Sequence, residues 1–119
     1  MDGALKHYHR TIALRETLAK EEPASVEARL SPTFAYARLS DLHAGLASNE
    51  AAPLADRIEN WRAARAWRQK SLVIFLDPRE RGLLPCKHAA KPDEITCELA
   101  RCDEALAKLQ GALAATSNK

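Results

Sequence analysis

Apolar positions along this chain recur with helical spacing in four blocks. Leu5, Tyr8, Ile12 and Leu18 predict a first helix from about Ala4 to about Lys20. Glu21-Glu22-Pro23-Ala24 ends it, because proline cannot continue the hydrogen-bond ladder. A second helix is expected from near Ser25 to Ala47, with Ala35, Leu39, Leu42 and Leu46 spaced four, three and four. Pro32 lies early in it. Either Ser31 caps a fresh start or one helix runs on with a disturbed first part, and the second is the expectation adopted. Small and polar residues from Ala47 to Pro53 make a connection. A third helix follows from about Leu54 to Leu76 or beyond, with Leu54, Ile58, Trp61, Ala64, Ser71, Leu72 and Phe75 on one broad face. At Asp77-Pro78-Arg79-Glu80 it either kinks or hands over to an extra turn ending at Gly82. Leu83 to Lys91 reads as a loop marked by Pro85. The last helix starts at Pro92 and Asp93 and carries an apolar seam of Ile95, Leu99, Cys102, Leu106, Leu109 and Leu113. Thr116 to Lys119 are expected to fray. The predicted fold class is all-α: four helices in two antiparallel pairs, with no sheet.

The first and third helices echo each other sixty residues apart. Ala4 matches Ala64, Arg10 matches Lys70, Thr11 matches Ser71, Ile12 matches Leu72 and Leu14 matches Ile74, while His7 and Trp67 both carry rings. Small residues among bulky ones suit close helix packing of the kind that stacked solenoid units use.

Tyr36-Ala37-Arg38-Leu39-Ser40-Asp41-Leu42-His43 resembles the first helix of a tetratricopeptide repeat, with Tyr36, Leu39, Ser40 and His43 in the family's large, leucine, small and aromatic places. Ala64, Arg68 and Ser71 fill the second-helix places, as do Ala4, Tyr8 and Thr11 in the earlier copy. Arg68 departs from the family's aromatic, and the period of sixty exceeds the usual repeat. The resemblance covers roughly residues 4–82. It implies one domain: residues 4–20 as the second helix of a partial repeat, 25–82 as one enlarged repeat, and 92–116 as a capping helix. The ending, with Arg79-Glu80-Arg81-Gly82 and then Ala100-Arg101-Cys102-Asp103-Glu104-Ala105-Leu106, is similar to the tails of some bacterial proteins that join a serine/threonine kinase domain to such repeats. The kinase's own glycine-rich loop, His-Arg-Asp and Asp-Phe-Gly motifs do not occur, so a non-catalytic C-terminal piece is implied.

Composition narrows the picture further. Hydrophobic residues make up 46% of the 119 positions but aromatics only 5%, with alanine and leucine prominent, which favours helix and one modest core. Eighteen basic residues against 16 acidic ones give a net charge of +2, with no general pull toward nucleic acid or anionic lipid. The densest apolar run, Leu72 to Leu76, is far too short to span a membrane. Three cysteines, an odd number, without signal-peptide character argue for free thiols in the cytoplasm.

Candidate chemistry is sparse. Cys86, His88, Cys97 and Cys102 do not have the spacing of a zinc site, and Cys102 belongs to the apolar seam. His7 and His9, two apart on a helix, do not share a face. His43 reads as a packing residue, since no nucleophile or acid accompanies it. No metal, cofactor or catalytic residue is expected, so the chain is read as a non-enzyme. Arg57, Arg62, Arg65, Arg68 and Lys70 make the third helix locally basic; they read either as a solvated face or as a stripe for a carboxylate-bearing peptide. Trp61 fits the core, and Trp67 a helix boundary or groove edge. The expected function is a peptide- or protein-binding scaffold, with Tyr36, Arg38, Asp41, Arg65, Trp67 and Arg68 as candidate partner-binding residues. The alternative is a structural cap or self-association unit, pairing through the exposed side of the first helix.

Overall fold

The computed structural model describes residues 2–117 and contains four α-helices and one 3-10 turn, with no strand among those residues. The helices are α1 (Asp2–Glu21), α2 (Val26–Ala47), α3 (Leu54–Glu80) and α4 (Lys91–Ser117); the 3-10 turn covers Cys86–His88. The all-α expectation therefore holds. Of the expected fraying at the C-terminus, Thr116 and Ser117 are helical, and the last two residues lie outside those described.

Local chemistry explains the boundaries. Ser25 caps α2, its side chain accepting from the Ala28 N–H at 3.2 Å. Pro32 and Pro78 both sit inside continuous helices, so neither starts a new element. Both are buried, and packing around the ring offsets the lost backbone bond. α3 ends in a Schellman motif: Gly82 has φ 70°, its N–H donates to the Arg79 carbonyl, and the Leu83 N–H donates to the Pro78 carbonyl at 2.8 Å. That turn requires a left-handed residue, which glycine supplies without strain. In α4, Pro92 occupies the first turn, where its missing N–H would have had no helical partner anyway. Asp93 and Glu94 there complement the helix dipole.

Each helix packs against the next, α1 on α2, α2 on α3, and α3 on α4. The pairs run antiparallel. Ile12 clusters with Ala35 and Leu39; Ser40 reaches Ala64 while Arg29 reaches Asp77; Arg65 reaches Asp103 while Arg79 reaches Asp93. The arrangement is a continuous series rather than two separate pairs, because the α2–α3 interface is the most extensive of the three. The Cα extents are 56 × 31 × 18 Å and the radius of gyration is 16.4 Å. A compact globule of this length would have about 13.5 Å. The chain is thus a flat, elongated stack.

Two apolar clusters hold it together. Ile12, Ala35, Tyr36 and Leu39 join α1 to α2, with Trp67 and Ile74 of α3 against them. Leu30, Phe75, Ile95 and Leu99 join α2, α3 and α4, with Leu72 and Leu84 alongside. Cys102 and Leu106 extend the second along α4. Trp61, expected in the core, is only partly buried.

Candidate functional site

A concavity of about 520 Å³ is lined by all four helices and the 3-10 turn. α1 bounds it with Tyr8, Thr11 and Arg15, and α4 bounds it with Lys91, Glu94 and Glu98. Between them lie Phe34, Arg38 and Asp41 of α2, and Arg68, Ser71 and Phe75 of α3. Thr11 and Ser71, matched in the sixty-residue echo, both border this groove.

Apolar and aromatic surface occupies one end. Phe34 is 53% exposed, a high value for a phenylalanine on a helix with a buried face. His88 meets it edge-on, with ring centroids 6.3 Å apart, and lies 6.1 Å from the Phe75 ring. His88 is only 7% exposed, and among the described residues its Nε2 has no hydrogen-bond partner; a carboxylate oxygen of Glu27 is 3.8 Å away. Ser71 is buried as well, and among the same residues its hydroxyl is also without a partner. Buried polar atoms are nearly always paired, so these two atoms, with Glu98 Oε2 a third on the same groove beside Arg68, mark a place where a ligand group or water completes the bonding.

Charge is unevenly committed. The Arg68 guanidinium binds Asp41 and lies 2.6 Å from Glu98 Oε2, with its side chain 13% exposed. The Glu98 contact is a close charge pair rather than a well-aligned hydrogen bond. Lys91 faces Glu94 at 3.6 Å. Arg15 donates to the Ser31 carbonyl at 2.9 Å. Among the described residues neither Arg15 nor Arg38 has a carboxylate partner, so the groove that Phe34 lines keeps two cations without an ion pair.

The structure separates the six candidate partner-binding residues. Arg38, Asp41 and Arg68 come together in the groove. Tyr36 is 1% exposed, and its hydroxyl donates to Glu16 on α1. Burial first, and the bond to Glu16 second, push the Tyr36 pKa well above its ordinary value. Trp67 stacks on Tyr36 at 5.4 Å and meets His9 at 5.7 Å, with Lys70 over both the Tyr36 and Trp67 rings. Arg65 donates to Asp103 at 2.6 Å, outside the groove. Phe34, Arg15 and the non-metal role of His88 were not picked out from sequence, and Ser71 was read only as a small packing position. A large apolar residue one step off the α2 stripe was the available signal for Phe34.

His43 bonds Asn60 at 2.9 Å between α2 and α3, in keeping with a packing role. Cys86 and Cys97 are exposed and Cys102 is buried; burial raises the Cys102 thiol pKa. Among the described residues no group of three or more His, Cys, Asp or Glu side chains is placed to hold a metal ion, and no helix is long and apolar enough to cross a membrane.

No protein-family model matches the chain, and neither a curated protein nor a solved structure gives a significant match.

Proposed function

We propose that this chain is a non-catalytic docking module whose groove takes an acidic segment of a partner protein. The observation that carries it is the combination on one groove: a half-exposed Phe34 and, among the described residues, two cations without carboxylate partners and buried polar atoms without hydrogen bonds. An acidic segment would place carboxylates on Arg15 and Arg38, an apolar side chain on Phe34, and a hydrogen-bonding group toward Ser71 or His88. The tetratricopeptide-like reading is part of the same proposal, supported by serial antiparallel packing and by the echo positions that border the groove. So are a place beside a kinase domain in a longer bacterial chain and a cytoplasmic setting, which free cysteines favour.

Calorimetric titration with a panel of acidic, neutral and basic peptides of mixed apolar content tests it. Acidic members are expected to bind, and Arg38→Glu or Phe34→Ala to weaken binding by about tenfold or more. Equal heats across the panel, or binding indifferent to both substitutions, would refute the proposal.

A further inference from the structure

The side of α1 turned away from α2 carries a second candidate surface, which adjoins the α1 rim of the groove. Leu14 is 69% exposed and Leu18 is 51% exposed, the first of them opposite the stripe of buried Ile12 and half-buried Leu5 and Tyr8. In the sixty-residue echo Leu14 corresponds to Ile74, and the same register sets Leu18 against Pro78. Ile74 packs against both apolar clusters, and Pro78 is fully buried. The same face is therefore covered on the inner helix of the stack and bare on the outer one.

Charges on that bare face are arranged in a particular way. At 100° per residue Arg10, Leu14 and Glu21 lie within one narrow strip, with Leu18 beside it. Arg10 is exposed, as are Glu21 and Glu22. None of the three forms a salt bridge among the described residues, although ten pairs form elsewhere. The strip thus has a cation at one end, acids at the other, and leucines between. Two such strips laid antiparallel about a two-fold axis near residue 16 are self-complementary. Leu14 of each copy meets Leu18 of the other, and Arg10 of each meets Glu21 and Glu22 of the other. Gly3 is exposed on the same face and adds no bulk.

We infer that α1 is a homodimerisation helix, pairing antiparallel with α1 of a second copy in this register. The parallel arrangement would set Arg10 against Arg10 and the acids against the acids, so charge selects the antiparallel one. Two leucines and two short charge clusters per copy make a small interface, well below the size of an obligate dimer, so the association is concentration-dependent. At 100° per residue His7 and Thr11, which line the groove, flank Leu18, so the dimer face adjoins the α1 rim of the groove.

Sedimentation velocity of the full chain over a wide concentration range tests this. The expected result is a monomer–dimer equilibrium, with the dissociation constant raised about tenfold or more by Leu14→Glu. Both leucines are exposed, so circular dichroism should show an unchanged helix content. Arg10→Glu is expected to weaken the dimer about three- to tenfold, and adding Glu21→Arg and Glu22→Arg to it to restore the affinity. A monomer at every concentration would overturn the inference. So would a dimer indifferent to Leu14→Glu, which would place the interface elsewhere. Failure of the restoring combination, with Leu14→Glu still effective, would overturn the antiparallel register.

Discussion

Two sides of α2 teach different lessons. Toward α1 and α3, apolar side chains are buried and polar groups find partners. Tyr36 donates to Glu16, Lys70 lies 3.1 Å from Glu16, and Ser40 donates to the Ala64 carbonyl at 2.8 Å. Toward the groove, Phe34 is half exposed, and among the described residues Arg38 has no carboxylate partner while Ser71 and His88 border the space with polar atoms unsatisfied. The first side has its interactions completed within the chain. The second leaves bonding capacity unused, as expected of a surface that has its own work to do. Stability and binding should therefore be separable by mutation across a single helix.

The sharpest way to break that separation is a pair of truncations on α2. Leu39 is fully buried, and Leu39→Ala should cost about 2–5 kcal/mol in denaturant unfolding, through lost transfer energy and a cavity. Phe34→Ala removes a larger side chain, yet should cost less than about 1 kcal/mol, because half of it already faces water. A Phe34→Ala loss comparable to that of Leu39→Ala would mean that Phe34 is a core residue and the groove an artefact of packing.

A smaller effect comes from the Tyr36–Glu16 contact. The Tyr36 hydroxyl, and after it Lys70, hold the Glu16 carboxyl below its ordinary value of 4.5, with burial opposing them. The folded state thus releases this proton more readily than the unfolded one. The resulting stabilisation is fully present above about pH 4.5 and is lost as pH falls through the depressed folded value. Tyr36→Phe should cost about 1 kcal/mol at neutral pH and flatten the acid limb of the stability curve. Some acid slope should survive, since the Arg29 contact, followed by Arg81, also holds the Asp77 carboxyl below its usual range. An unchanged acid limb in Tyr36→Phe would show that the contact contributes nothing to folding.

The helices were legible in the sequence because their signals are local. The start of α2 near Ser25, Pro23 as a break and the 3.6-residue period of the α4 seam each rest on signals within a turn or two. The groove was only half legible. Arg38, Asp41 and Arg68 could be nominated because they lie on polar faces, but nothing local says that Arg65, one turn before Arg68, pairs with Asp103 while Arg68 turns to Asp41 and Glu98. That choice depends on the register of α3 against α4. Tyr36 was misjudged for a related reason. A tyrosine on an amphipathic helix can present its hydroxyl to solvent or bury it, and the partner that permits burial here, Glu16, lies twenty residues earlier on another helix. His88 drew notice only for its metal-ligand chemistry, since its position between Phe34 and Phe75 follows from the fold of the α3–α4 connection.

The smallest expected difference is also the most direct probe of the contrast, because it compares one residue type with itself. Ser40 and Ser71 are each 2% exposed and each sits on a helix beside α2–α3 packing. Ser40 has made its bond to the Ala64 carbonyl, whereas the Ser71 hydroxyl has no partner among the described residues. Removing a made hydrogen bond costs about 1 kcal/mol, while removing an unpaired buried hydroxyl is neutral or slightly stabilising. Ser40→Ala should therefore lower stability by about 1 kcal/mol, and Ser71→Ala by nothing measurable in urea unfolding of the free protein. If an acidic peptide uses the free hydroxyl, Ser71→Ala should weaken its binding by about three- to tenfold while Ser40→Ala leaves it unchanged. Equal stability losses from the two substitutions would mean that Ser71 is satisfied inside the fold, and the groove would lose one of its spare polar contacts.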